Sequence, residues 1–226
     1  MTKLENFTLD VDASSETSAI FISNLNQQIS QIESLGNVTT FSLNFRNEAL
    51  ILSNIVPPYG DKMKNLKTLS LNVIGRYFKI GTFTEALKDL VDLEIFNFEY
   101  FEYTRTYAKR ESFDCSFSFE KLQNLKSVCL NCYLPLSKKS RKELVNGISR
   151  LENLESLEIF EETLNGMDKK EASEFIEDLC LKKTLKFTSF GWKGPKSSHW
   201  IEVNIEEVNG EMVVPSGLKQ IRDLVA

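Results

Sequence analysis

The chain has 226 residues, of which 42% are hydrophobic, with a net charge of −5 and a single histidine. That length fits one domain or a repeat array whose core needs no disulfide or metal for support. The acidic balance disfavours general binding to nucleic acid or anionic membranes, and no apolar run long enough to span a bilayer is present.

Cysteine usage predicts a reducing, cytoplasmic compartment. The residues after Met1 lack the apolar run of a secretory signal, and the four cysteines are not spaced like a disulfide framework. We therefore expect free thiols at Cys115, Cys129, Cys132 and Cys180.

A short phrase, apolar-x-x-apolar-x-apolar, recurs along the chain. Clear copies are Leu66–Leu71, Leu90–Ile95, Leu125–Leu130 and Leu154–Ile159. Alternation at the end of each phrase predicts a strand with its two apolar side chains on one face and the residue between them on the other. Aligned on that final pair, the units are Phe7/Leu9, Phe41/Leu43, Leu69/Leu71, Leu93/Ile95, Val128/Leu130, Leu157/Ile159 and Leu185/Phe187.

The stretches between the phrases are mostly patterned as helices, with apolar residues at helical spacing. A unit that alternates strand and helix cannot bury its own apolar face, so neighbouring units must stack. The pattern therefore predicts a parallel sheet with a helix or loop after each strand. The predicted helices are Thr17–Ser34, Glu48–Ile55, Thr84–Leu90, Ser137–Leu151 and Asp168–Leu181.

The pattern changes after Gly191. Gly191–Ser198 is typical of a loop, and Trp200–Ile205 alternates like a strand. Asn209-Gly210 before Glu211–Val214 indicates a hairpin, and Pro215 opens a short final helix. We interpret residues 191–226 as a terminal cap, with a small docking element as the alternative.

The repeated segments resemble leucine-rich repeats, nearest the longer helix-containing kind of ribonuclease-inhibitor-like and F-box-associated proteins. The resemblance implies an α/β leucine-rich-repeat solenoid, a horseshoe with a curved parallel sheet on its concave side and helices and loops on its convex side. It covers about seven irregular repeats in residues 1–190, closed by the hairpin-helix cap of 191–226 in the same domain. The turn positions that hold Asn or Cys in the family are Arg46, Ile74, Phe98, Tyr133 and Glu162 here, which predicts that its asparagine ladder is missing.

Binding is expected on the concave side, which repeat proteins of this kind commonly use. The residues between and just after the paired apolar positions form two outward columns, from Thr8 to Lys186 and from Asp10 to Thr188. Aromatic residues beside acids are typical of interface hot spots, although Phe96 and Phe160 have the alternative of packing into adjacent loops. The predicted binding residues are Ser42, Asn44, Ser70, Asn72, Glu94, Phe96, Cys129, Asn131, Glu158 and Phe160.

An aromatic-rich segment, Phe96–Tyr107, follows the fourth phrase and holds six aromatic residues. It fits an extension of the strand, a recognition loop, or a cover for the convex core. The interleaved charges are Glu99 and Glu102, which disfavours stacking on RNA because such surfaces are basic.

Residues for catalysis are sparse. The single histidine, His199, has no cysteine or acid placed beside it by the sequence, and Cys129-x-x-Cys132 has no second such pair to complete a zinc site. The basic run Lys138–Lys142 is typical of the solvated start of a helix, with a minor docking role as the alternative. We therefore predict no catalytic residues, no bound metal and no cofactor.

The sequence predicts a non-catalytic protein-interaction module, a monomer that binds a protein partner rather than nucleic acid or a membrane. Within that class the roles left open are substrate receptor of a ubiquitin ligase, pathogen effector and scaffold subunit of an assembly. The alternative from another class is an enzyme regulator, such as a GTPase-activator-like repeat protein acting through Arg46 or Arg76.

Overall fold

The computed structural model describes a set of separate ranges along the chain: 4–12, 27, 31–47, 62–75, 87, 89–102, 119, 121–132, 137–162, 175, 187–193, 198–204, 206–208 and 211–213. Gln27, Leu87 and Phe175, each from a predicted helix, are helical. The predicted helix Glu48–Ile55, the final helix after Pro215 and the outward residue Lys186 lie outside these ranges.

An eight-stranded sheet runs through the molecule with its strands in chain order. Its first seven strands pair in parallel, which requires a crossover of a dozen or more residues between neighbours. The protein is therefore an α/β protein with a parallel sheet. The strands are β1 (Asn6–Asp12), β2 (Thr40–Asn47), β3 (Thr68–Gly75), β4 (Ile95–Glu102), β5 (Ser127–Cys132), β6 (Ser156–Glu162) and β7 (Phe187–Lys193).

Two antiparallel pairings follow at the carboxyl end of the chain. Strand β8 (Ser198–Asn204) pairs with β7, and β9 (Glu206–Val208) pairs with β10 (Glu211–Val213) in a separate two-stranded sheet. Val208 is paired directly with Glu211, so the hairpin predicted across Asn209-Gly210 is confirmed. Strand β7 continues to Lys193. It therefore includes residues 191–193, the start of the predicted loop, and crosses the predicted boundary between the repeats and the cap at residue 190.

Alternation along each strand separates a buried face from an open one. Residues aligned across the sheet by the parallel register share a face, and the inward ones have exposures of 4% or less from β2 to β6. Each strand is amphipathic, and the apolar side stacks on that of its neighbours. The inward residues of β2 to β6 are Phe41, Leu43, Phe45, Leu69, Leu71, Val73, Phe96, Phe98, Tyr100, Val128, Leu130, Leu157 and Ile159.

A tight turn precedes each of strands β2 to β6, and it also carries core residues. Apolar residues recur at every third position there, and in each of these turns at least one of their N–H groups donates to the carbonyl three positions earlier, as in Leu125 to Leu122 at 3.1 Å. The spacing of three keeps these side chains on one side of the turn, so the turns extend the core beyond the strands. The buried residues of the turns are Leu35, Val38, Met63, Leu66, Leu87, Leu90, Leu93, Phe119, Leu122, Leu125, Ile148, Leu151 and Leu154.

One carbonyl per unit sets the register of the next unit. The carbonyl of Lys67 accepts hydrogen bonds from the N–H groups of both Glu94 and Ile95, at 2.8 and 2.9 Å. The same arrangement links Glu5 to Thr39 and Thr40, and its distances along the sheet lie between 2.8 and 3.1 Å. Since a carbonyl oxygen has two lone pairs, this doubled acceptor satisfies two donors at the start of each strand.

The helix α1 (Lys138–Ser149) confirms the helix predicted over Ser137–Leu151. Ser137 caps it, because its side chain accepts a hydrogen bond from the N–H of Ser140 at 3.2 Å. Leu144 and Ile148 are fully buried in the same core as the strands. The basic run at its start is mostly exposed, and its Lys139–Glu143 contact of 3.9 Å is a surface pair of small energetic weight.

An asparagine ladder joins the turns of successive units. Asn65, Asn124 and Asn153 each precede a buried leucine, and their side-chain amides donate to the carbonyls of Gly36, Val91 and Gln123, at 2.6, 3.0 and 2.8 Å. This ladder lies ahead of the strands, whereas the turn positions that the family uses lie after them and hold no asparagine or cysteine here. The expectation that the family's own ladder is missing therefore stands as a prediction.

The predicted register of the fourth unit is wrong. The pair Leu93/Ile95 was expected to be the inward pair, but Phe96 aligns with Leu69 and Phe98 with Leu71. Apolar residues at every third position from Leu87 to Phe96 fit the repeated phrase in two phases, and the hydrogen bonds to the Lys67 carbonyl select the later one. Phe96 is consequently a core residue, with no exposed surface.

The last unit is displaced in the same direction. Thr188 pairs with Leu157 and Phe190 with Ile159, so the expected inward pair Leu185/Phe187 is wrong. Thr188, predicted in an outward column, holds the register of a core position, and Ser189 aligns with the outward residue Glu158.

Truncating Phe96 tests this register. Its ring stacks on Phe98 with centroids 6.4 Å apart and meets Phe119 edge-on at 6.2 Å. We expect Phe96→Ala to lower the free energy of unfolding by about 3–5 kcal/mol, the usual cost of emptying a buried aromatic site. The matched control is Ile95→Ala, since Ile95 is 38% exposed and its loss is expected to cost less than about 1 kcal/mol. Urea unfolding of both variants measures the difference, and equal losses would contradict the register.

Candidate binding face

The open face is the solvent side of strands β1 to β6, and two rows of side chains cross it. Every residue of both rows is exposed or half-buried, in contrast to the inward rows. The first row is Thr8, Ser42, Ser70, Asn97, Cys129 and Glu158, and the second row is Asp10, Asn44, Asn72, Glu99, Asn131 and Phe160.

Most of the predicted binding residues lie together on this face. The two exceptions are Phe96, which is buried, and Glu94, which precedes β4. In the strand register, Asn97 and Glu99 occupy the open-face positions that the sequence had assigned to Glu94 and Phe96. Sequence reasoning missed both residues because it aligned β4 three positions too early. The signal that would locate them is the run of apolar residues at every third position from Leu87 to Phe96. That spacing marks the turn ahead of the strand and not the strand itself.

Hydrogen bonds tie neighbouring strands across the open face. The amide of Asn44 donates to the Asp10 carboxylate at 2.6 Å, and the amide of Asn97 donates to the Ser70 hydroxyl at 3.1 Å. Such cross-strand pairs contribute modestly to stability. They also hold the polar side chains in fixed positions, which leaves the face preorganised.

Two depressions lie on the open face. The larger, of about 380 Å³, is lined by Asp10, Asn44, Arg46 and Asn72 together with the backbone strands beneath them. Arg46, one of the two arginines considered for enzyme regulation, is exposed there; Arg76 lies outside the described residues. The smaller depression, of about 130 Å³, lies over strands β3 to β5 and is lined by Ser70, Leu71, Asn72, Asn97, Phe98, Glu99, Cys129 and Asn131.

Cys129 is a free thiol that is poorly suited to nucleophilic chemistry. Burial raises its pKa to about 12, and the carboxylates of Glu158 and Glu99 and a hydrogen bond accepted by Glu158 act in the same direction. A pKa this high keeps the side chain protonated near neutral pH. The reactive form of cysteine is the thiolate, so Cys129 is a poor nucleophile there. Within the described ranges no group of three or more His, Cys, Asp or Glu residues is arranged to hold a metal ion.

Glu94 ties three units together ahead of the strands. Its two carboxylate oxygens accept from Lys67 at 2.9 Å and from Lys126 at 2.7 Å. These two lysines hold the pKa of Glu94 at about 2, and the same contact raises the pKa of Lys126. The predicted binding residue is thus engaged within the protein, at equivalent positions of successive units.

The aromatic segment is a strand in its first half. Phe96, Phe98 and Tyr100 point into the core, whereas Phe101 is 39% exposed; residues 103–107 lie outside the described ranges. Of the three possibilities, extension of the strand is the one observed over Phe96–Glu102.

No helix in the described part of the chain is both long and apolar enough to cross a membrane. Compared with protein-family models, curated proteins and solved structures, the chain gives no match.

The Glu94 bridge predicts a specific acid dependence of stability. Because the pKa of Glu94 is lowered from 4.5 to about 2 on folding, its contribution is complete above pH 4.5 and is lost as the pH falls towards 2. We expect the difference in unfolding free energy between the wild type and Glu94→Gln to be constant near neutral pH and to shrink across that window. Urea unfolding at a series of pH values measures it.

The control for this prediction is Glu152→Gln, which changes an exposed acid in the turn before β6. A pH-independent difference for Glu94→Gln, or the same pH profile for both variants, would show that the two lysines do not stabilise the folded state through Glu94.

Proposed function

We propose that the protein is a non-catalytic recognition module, a solenoid of the leucine-rich-repeat kind that binds a protein partner through its open face. The observation that carries the proposal is the contrast between the two faces of the parallel sheet. Parallel sheets are usually covered on both faces, yet here one face is fully buried and the other consists of half-exposed Ser, Asn and Glu side chains.

The repeat assignment is supported by three features. Parallel strands follow one another in chain order, strands β2 to β6 are each preceded by the same turn of apolar residues, and an asparagine ladder joins neighbouring turns. The aligned inward positions are 34, 28, 27, 32, 29 and 31 residues apart along the sheet. Three of these steps lie within the usual leucine-rich-repeat period of about 20–29, and three are longer. In this proposal the sheet is concave, and β8 with the β9–β10 hairpin closes its last edge.

Recognition rather than catalysis is supported by the chemistry of the open face. Its thiol is kept protonated by burial and by two carboxylates, and its two rows hold amides, hydroxyls and acids in cross-strand pairs. A preorganised polar surface of this kind suits a macromolecular partner, because ordering costs on binding are low. A cytoplasmic scaffold or adaptor is the setting that we propose.

A charge-and-bulk substitution pair tests the proposal. We expect Asn72→Arg with Glu158→Arg, both on the open face, to weaken capture of the partner from a native cell extract at least about tenfold, since each introduces a bulky cation at the interface. The matched control makes the same two kinds of change elsewhere, Asn146→Arg on α1 with Glu152→Arg in the turn before β6, where both residues are exposed.

Quantitative mass spectrometry of the captured proteins measures the effect, and thermal melts establish that both double variants fold. A partner lost equally with both variants, or retained by both, would contradict binding through the open face.

A further inference from the structure

The smaller depression of the open face, over strands β3 to β5, includes a side-chain acceptor that has no donor. The side-chain amide nitrogen of Asn97 already donates a hydrogen bond to the Ser70 hydroxyl. The Oδ1 atom of Asn131 is buried and accepts no hydrogen bond. A buried acceptor without a donor is unfavourable, and natural proteins concentrate such exceptions at functional sites.

The charge around this depression is also unbalanced. Glu99 lies beside Asn131 in the β4–β5 register, and Glu158 lies beside Cys129 in the β5–β6 register. Among the described residues, no lysine or arginine forms an ion pair with either glutamate. The raised pKa of Cys129, to which both carboxylates contribute after burial, reports the negative potential between them.

The contrast with Glu94 shows that the chain neutralises comparable charge elsewhere. Ahead of the strands, one glutamate is held by two lysines from the neighbouring units. On the open face the equivalent columns of β4 to β6 hold Asn97, Cys129 and Glu158 in one row and Glu99, Asn131 and Phe160 in the other, with no cation. Glu99 and Glu158 therefore lack the kind of neutralising pair that holds Glu94.

Size limits what fills this place. The depression of about 130 Å³ is well below the roughly 300–1,000 Å³ of sites that enclose a small molecule. It has room for the end of one side chain of a larger partner. Glu99 and Glu158 stand on strands two apart and two residues apart along the register, a backbone separation of about 12 Å. Because both side chains are long, a planar group with several donors can reach towards both.

Resting on the proposed function, we propose that the partner presents an arginine-bearing segment, whose guanidinium is held on the open face between Glu99 and Glu158 and donates to Asn131. A guanidinium carries five donors in a rigid fork and is weakly hydrated, so it suits a carboxylate and an amide oxygen at one place. It is also the charged group most enriched at interface hot spots.

The experiment titrates the isotope-labelled full chain with the capped peptide acetyl-Ser-Arg-Ser-Arg-Ser-amide at physiological salt and follows backbone amides by NMR. We expect saturable shifts centred on Asn97, Glu99, Cys129 and Asn131. The twin peptide with citrulline in place of arginine keeps the shape but removes the charge, and we expect it not to bind. Spermine supplies cationic charge without a peptide, and we expect weaker binding without the same pattern of shifts.

Variants test the residues. We expect Glu99→Gln with Glu158→Gln to weaken binding of the arginine peptide at least about tenfold, and Asn131→Ala to weaken it several-fold without lowering the melting temperature, because it removes an acceptor that has no donor in the free protein. The matched control, Glu143→Gln with Glu152→Gln, removes the same charge from α1 and the turn before β6, and we expect unchanged affinity.

Four results would each overturn the inference: equal binding of the citrulline peptide, spermine binding as tightly with the same shifts, shifts centred elsewhere, or equal weakening by the control variant. Partner capture that fails with Asn72→Arg/Glu158→Arg while the arginine peptide does not bind would leave the proposed function standing and reject the arginine. Peptide binding without any partner captured through the open face would reject the proposed function itself.

Discussion

The structure depends on one hydrogen-bonding step that is repeated between units. A single carbonyl ahead of each of strands β1 to β5 accepts from two successive N–H groups of the next unit, from Glu5 through Thr39, Lys67 and Glu94 to Lys126. Because both donors converge on one oxygen, the next strand can start at only one residue. Every other alignment across the sheet follows from that choice, since a strand displaced by one residue exchanges its two faces.

The two faces of the sheet follow from this register. Apolar residues of the strands and of the turns merge into one core, which also receives Leu144 and Ile148 of α1. A unit alone would expose its apolar face to water, so stability comes from stacking on the next unit. The opposite face takes no part in that core. Its composition is therefore not set by the packing of the core, and across strands β1 to β6 it consists of amides, hydroxyls, acids, one half-buried thiol and the ring of Phe160.

Charge is handled differently on the two parts of the surface. Ahead of the strands, Lys67, Glu94 and Lys126 alternate in sign and neutralise one another at 2.9 and 2.7 Å. On the open face, Glu99 and Glu158 flank Cys129 and Asn131 without a cation among the described residues. The charge ahead of the strands is neutralised by local pairs, whereas Glu99 and Glu158 have no such partner among the described residues.

The sequence by itself determined the parallel α/β arrangement. Its alternating apolar pairs recur at intervals that fit one strand and one crossover, and such a unit buries its apolar face only by stacking on the next unit. It also determined the helix after Ser137 and the hairpin across Asn209-Gly210, where local spacing and turn chemistry decide the structure. Only the tertiary structure decided the phase of the fourth and seventh units. Apolar residues at every third position fit the repeated phrase in two ways, and only the hydrogen bonds from the neighbouring unit distinguish them. That phase moved Phe96 into the core and placed Asn97 and Glu99 on the open face.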